Sequence, residues 1–135
     1  MLYIDTNILV YTMIDQGDDK TELSKQIINE AIKEGTLFIS SLVLIELIFT
    51  LSKLKILNEN NEAIKLYSNF CKSRVDKNVV FLAYEKCRKV DKCRNINDFI
   101  HLEIANRYCK KLVTFDSDFK NLQQYYGIDI EIVGN

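Results

Sequence analysis

Short apolar runs alternate with longer helical patterns along this chain. Residues 1–5, "MLYID", read as a buried strand, and a short helix is predicted to follow from Thr6. Residues 18–35, "DDKTELSKQIINEAIKEG", carry Leu23, Ile27, Ile28 and Ile32 on one helical face, with Gly35 as the stop. "TLFIS" (36–40) reads as a second strand. Two helices are expected next, about 41–57 and 60–75, then a strand "NVVFL" (78–82). A basic helix over about 83–92 and another over about 97–109 precede the last strands, "KLVTF" and "IDIEIV".

Strand–helix alternation predicts an α/β fold, a three-layer α/β/α sandwich around a mainly parallel sheet. The length suits a single domain over residues 1–135, and no linker or repeat divides it. In such sheets ligands sit beyond the carboxyl ends of the strands. Asp5 closes the first strand and Asp116 follows "KLVTF", so both acids fall on that edge.

Two more acids stand in unusual surroundings. In "SLVLIELIFTLSKLKIL" (41–57), Glu46, Thr50 and Lys53 form one narrow polar stripe on an otherwise apolar helix. A solvated face is normally wider, so Glu46 is expected to look into a crevice. In "NINDFIHLEIANRYC" (95–109), Asp98 shares the inward face with Leu102, Ala105 and Cys109. Asp98 also suits the third position of a helix capped by Asn95, which would be a purely structural role. Taken together, Asp5, Glu46, Asp98 and Asp116 would set four like charges at one end of the sheet. Carboxylates that close raise one another's pKa unless a cation neutralises them. Oxygen ligands select hard cations such as Mg2+ or Mn2+. His101, one turn from Asp98, suits packing or support of a ligand better than ligation itself.

The order "YIDTNILVY", "SSLVLIELIFTL", "INDFIHLEIA", "LVTFDSDF" resembles the PIN-domain nucleases, and more narrowly the VapC toxins of toxin–antitoxin pairs. The resemblance implies a PIN-like, Rossmann-like fold and metal-assisted hydrolysis of RNA, leaving a 3'-hydroxyl and a 5'-phosphate. Asp5, Glu46, Asp98 and Asp116 would then be the catalytic, metal-holding cluster. Thr6 and Asn7 would orient Asp5 and the attacking water, and Thr114 would be a polar neighbour. Asp118 matches a variable second acid of the last motif, and Phe119 would pack beneath it. Glu103 stands where relatives often carry alanine and is expected to form a surface ion pair with Arg107.

Charge and composition narrow the picture. The formal net charge is -1, so bulk positive charge does not argue for a nucleic-acid partner. A local cluster does, in Lys86, Arg88, Lys89, Lys92 and Arg94, directly before Asp98. No run approaches the ~20 apolar residues of a membrane span. No basic segment precedes the first apolar residues, and a cytoplasmic protein is expected. The cysteines, Cys71, Cys87, Cys93 and Cys109, lack metal-site spacing and read as reduced thiols.

Competing readings make different demands. An aspartyl-phosphate transferase wants a second acid where Asn7 stands, and a receiver domain wants an early acidic pair. An RNA-processing nuclease without an antitoxin, or a binding-only module of the same fold, are the remaining alternatives, and the latter would be expected to have lost acids. In the helix from Ser41, Leu42, Ile45 and Phe49 line one arc, with Ile56 further on, while Val43, Leu44, Leu47, Ile48, Leu51 and Leu54 fill a wider one. One arc can pack on the sheet. The other, partly covered by Ile64, Leu66 and Phe70, predicts a homodimer with Leu51 in the contact. The resemblance adds an antitoxin protein of the VapB kind as a possible partner.

Overall fold

The computed structural model describes residues 1–14 and 19–134. Asp18, the first residue of the second predicted helix, lies outside them. Five strands form one all-parallel sheet in the order β3-β2-β1-β4-β5. They are β1 (Leu2–Ile4), β2 (Leu37–Ser40), β3 (Cys71–Ser73), β4 (Lys111–Thr114) and β5 (Asp129–Ile132). Among the described residues six α-helices surround the sheet: α1 (Thr6–Met13), α2 (Asp19–Glu34), α3 (Ser41–Lys53), α4 (Asn61–Ser68), α5 (Lys77–Lys89) and α6 (Ile96–Tyr108). The result is the expected α/β sandwich.

The inner strands are mostly apolar because helices cover both faces of a parallel sheet, with Ser40, Lys111 and Thr114 at their ends. Tyr3, Ile4, Leu37, Ile39 and Leu112 are all essentially inaccessible. Helix α1 packs against both α2 and α3, and α5 packs on α6. Helix α2 ends as its glycine predicts. Gly35 takes a φ of +70°, and the Thr36 N–H reaches back to the Ala31 carbonyl at 2.9 Å. Its buried face is Thr21, Ser24, Ile28 and Ala31, while Ile32 is exposed.

Three sequence-based expectations fail here. "NVVFL" is the first half of α5 rather than a strand. Asp76 accepts the Val79 N–H at 2.9 Å, and this cap overrides the β propensity of two valines. The third strand lies instead at Cys71–Ser73, inside the stretch expected to be helical to Val75. It is a three-residue edge strand, too short to leave an alternating pattern. Finally, Cys87 and Cys93 are disulfide-bonded, tying the end of α5 to the 3-10 turn before α6. Cys71 and Cys109 are free thiols.

Beside β1, the chain passes to β2 on one flank and to β4 on the other. A crevice at the carboxyl ends is the consequence of that reversal in strand order.

Candidate metal centre

Asp5 follows β1 and begins α1. Its Oδ1 accepts the Thr6 N–H at 2.7 Å and its Oδ2 accepts the Thr114 hydroxyl at 2.6 Å. Those bonds compensate in part for its burial. Burial still raises its pKa above the ordinary aspartate value, against the opposing influence of His101, Thr114 and Thr6.

Thr114 ends β4 and is fully buried. Besides donating to Asp5, its hydroxyl accepts from Asn7 Nδ2 at 3.2 Å and from the Asp116 N–H at 2.9 Å. Asn7 Oδ1 also accepts the Phe115 N–H at 3.2 Å. The DTN of "YIDTNILVY" and the TFD of "LVTFDSDF" are therefore stitched together across β1 and β4, from 109 positions apart.

Glu46 arrives from α3. Its Oε1 accepts the Thr6 hydroxyl at 2.8 Å and meets His101 Nε2 at 2.7 Å. Burial opposes its charge, but hydrogen bonds and charge from His101, with Thr6 and Asn97, outweigh that and lower its pKa. His101 shows the complementary shift. Burial would depress the imidazole, but the Glu46 bond and the charges of Asp5, Glu46 and Asp98 raise it.

Asp98 lies in the first turn of α6, where Asn95 Nδ2 reaches its Oδ2 at 3.4 Å. Burial raises its pKa, and the charges of Asp5 and Asp116 add to the rise. Asp116 precedes a 3-10 segment, Ser117–Tyr125, and its Oδ1 accepts the Asp118 N–H at 2.9 Å.

All four acids line one cleft of about 370 Å3, together with Thr6, Asn7, Tyr11, Thr50, His101 and Phe119 among others. Glu46 thus looks into a crevice, as its narrow stripe predicts, and Thr50 lines the same cleft. Ligand atoms of Asp5, Glu46 and His101 lie within 4.8 Å of one another. Asp98 and Asp116 share the cleft outside that closer set. His101 therefore sits in the cleft wall close to both Asp5 and Glu46. The one signal for it in the sequence was its place a turn beyond Asp98. Phe119 is buried, with its ring 6.5 Å from that of His101.

Other candidates lie elsewhere. Asp118 is exposed and outside the cleft lining. Lys86, Arg88, Lys89, Lys92 and Arg94 do not line it either. Lys86 pairs with Glu103 at 3.2 Å and covers the Tyr126 ring, and Arg88 pairs with Glu85 at 3.3 Å. Glu103 is not on the surface with Arg107. It is buried, with the Tyr126 hydroxyl 3.0 Å from it, because α6 is enclosed from Phe99 through Ala105.

The PIN-domain family matches residues 2–124. This chain belongs to that family. PIN domains are generally nucleases, and this PIN domain is similar in fold to a solved structure described as VapBC2 from Rickettsia felis bound to a DNA fragment from their promoter. The TM-score is 0.67 at 23% identity, over 97% of this chain and 98% of that one. No curated protein matches the sequence. No helix among the described residues is long and apolar enough to cross a membrane.

Proposed function

We propose that this PIN domain is a divalent-metal-dependent ribonuclease and the toxin of a VapBC-type toxin–antitoxin pair. One observation carries the reading. Asp5, Glu46, Asp98 and Asp116, from four separated segments, meet in one cleft at the carboxyl edge of the sheet. The donor set fits a hard cation, since it is built from carboxylates and its one imidazole already has hydrogen-bond partners on both nitrogens. Asp5, Glu46, Asp98 and Asp116 would hold Mg2+ or Mn2+. Such an ion supplies Lewis acidity toward a phosphodiester and makes water a stronger nucleophile.

The chain's own residues prepare the place. Thr6 and Thr114 fix Asp5 through its two oxygens, and Asn7 ties the β4 end to α1. Lys89, Lys92 and Arg94, preceding the helix of Asp98, draw the phosphate backbone toward an otherwise acidic opening. A single-stranded loop suits the cleft because its backbone can bend into it.

The fold likeness to a VapBC2 chain supports an antitoxin protein as partner. Exposed Ile45, Ile48 and Phe49 on α3, and Val80, Phe81 and Tyr84 on α5, support a homodimer as the working state. The test is cleavage of single-stranded RNA by purified protein with Mg2+ or Mn2+, and its loss with EDTA. Alanine at Asp5, Glu46, Asp98 or Asp116 should abolish cleavage with the fold retained, and Asp118→Ala should matter less. Cleavage that survives EDTA, or Asp116→Ala active while Asp118→Ala is dead, would refute the assignment.

A further inference from the structure

His101 is buried to 2% exposure, and both ring nitrogens are engaged. Nδ1 lies 2.6 Å from the Tyr3 hydroxyl, which lies 2.7 Å from Ser40 Oγ, and that oxygen accepts the Val43 N–H at 3.1 Å. Nε2 lies 2.7 Å from Glu46 Oε1. A continuous hydrogen-bonded chain therefore runs from the start of α3, through β1 and α6, back to α3 at the cleft. Tyr3 is fully buried, so the far end of the chain is anchored in the core.

We infer that His101, held by Tyr3, is a positioning residue that fixes Glu46 for the divalent cation. The inference rests on the metal-dependent reading above. Glutamate has three side-chain torsions, and Glu46 reaches the cleft from a narrow polar stripe on an otherwise apolar helix. Something must choose one rotamer for it. His101 and Thr6 both bind the same oxygen, Oε1. Oε1 thereby serves the protein, and Oε2 is the oxygen for the ion. Asn97 also hydrogen-bonds the carboxylate, but its side chain is exposed, so an arriving ion can displace it. His101 cannot be displaced so easily, being enclosed and bound on both sides. Ligation by Nε2 itself would require it to release Glu46.

Groups that orient a metal ligand typically contribute about 10–100-fold to metal affinity. The experiment is Mn2+ titration by calorimetry on the intact protein, with circular dichroism and metal-free melting as fold controls. His101→Leu should bind Mn2+ about 10–100-fold more weakly. His101→Gln, whose amide can donate to Glu46, should recover most of that loss. Tyr3→Phe keeps the core ring and removes only the hydroxyl, so it should show a smaller loss in the same direction, and it decides the matter if His101→Leu does not fold. Wild-type affinity in both His101→Leu and Tyr3→Phe would overturn the inference. So would pulsed EPR of the wild-type Mn2+ complex showing a directly coordinated imidazole nitrogen, which would make His101 a ligand. A wild type that binds no Mn2+ would instead overturn the metal-dependent reading beneath it.

Discussion

Replacing Thr114 with valine keeps the shape of a fully buried side chain and removes its hydroxyl. Three hydrogen bonds go with it: 2.6 Å to Asp5 Oδ2, 3.2 Å from Asn7 Nδ2 and 2.9 Å from the Asp116 N–H. The Asp5 bond matters most, because that carboxylate is itself buried and a hydrogen bond to a charged group contributes about 1.5–3 kcal/mol. Asn7 and Asp116 are only half-buried, so water can replace part of what they lose. The total is about 2–4 kcal/mol, the upper end applying if Asp5 stays ionised. For a domain of this size that is a fall of about 7–15 °C in Tm. Thermal melts at neutral pH without divalent ions measure it directly, with urea titration as a check on the free energy. Thr114→Ser restores the hydroxyl and should stay within about 1 kcal/mol of the wild type. A valine variant within about 0.5 kcal/mol of wild type would show that the hydroxyl does not hold Asp5, and the stitching of β1 to β4 would lose its energetic meaning.

Mg2+ at a hundred times its dissociation constant should raise stability by about 2.7 kcal/mol, and Asp5→Asn or Asp98→Asn should shrink that gain; a wild-type melt indifferent to Mg2+ and Mn2+ counts against the site. Burial pushes the Cys109 thiol up to about 12, so at pH 8 native protein should resist iodoacetamide there, with labelling mapped by mass spectrometry appearing only on unfolding. Rapid native labelling of Cys109 would contradict that upward shift of its thiol. Phe49→Glu, at a side chain 67% exposed, should leave the fold intact and give a monomer by light scattering, and a variant as dimeric as the wild type would move the contact elsewhere. Leu51→Glu should unfold the chain, because Leu51 is inaccessible in the monomer rather than part of an outward arc.

That reversal of arcs on α3 shows where sequence legibility ended. Periodicity found two apolar arcs but could not say which met the core, and it put Ile48 and Leu54, which are exposed, in one arc with the buried Val43, Leu47 and Leu51. Val43, Leu47 and Leu51 face inward, and Ile45 and Phe49 face out. Elements with their own local signals were readable: α2 with its glycine stop, β1 and β4 as short, mostly apolar runs, and the acids that follow them. Helix α5 was misread because two adjacent valines and a phenylalanine speak for a strand, while the deciding cap, Asp76, lies ahead of them. The carboxylates were legible because a charge in an apolar run is conspicuous. The Tyr3–His101–Glu46 chain was not, since its members sit 37 to 98 positions apart from the partners they bind. Glu103 was misplaced for a related reason: α6 is buried on nearly every side, so no polar face remained to mark its outward direction.

The pairing of β1 with β4 also governs timing. Residues near position 3 find their neighbours near position 112 only after almost everything between them has been synthesised. Until then Asp5 has no Thr114 to hold it, and the cleft lacks the wall that Asp116 and Phe119 provide. A chain still growing on the ribosome therefore lacks the assembled cleft on which the proposed activity rests. Competence arrives in one late step, when β4 docks against a strand that has waited through most of translation.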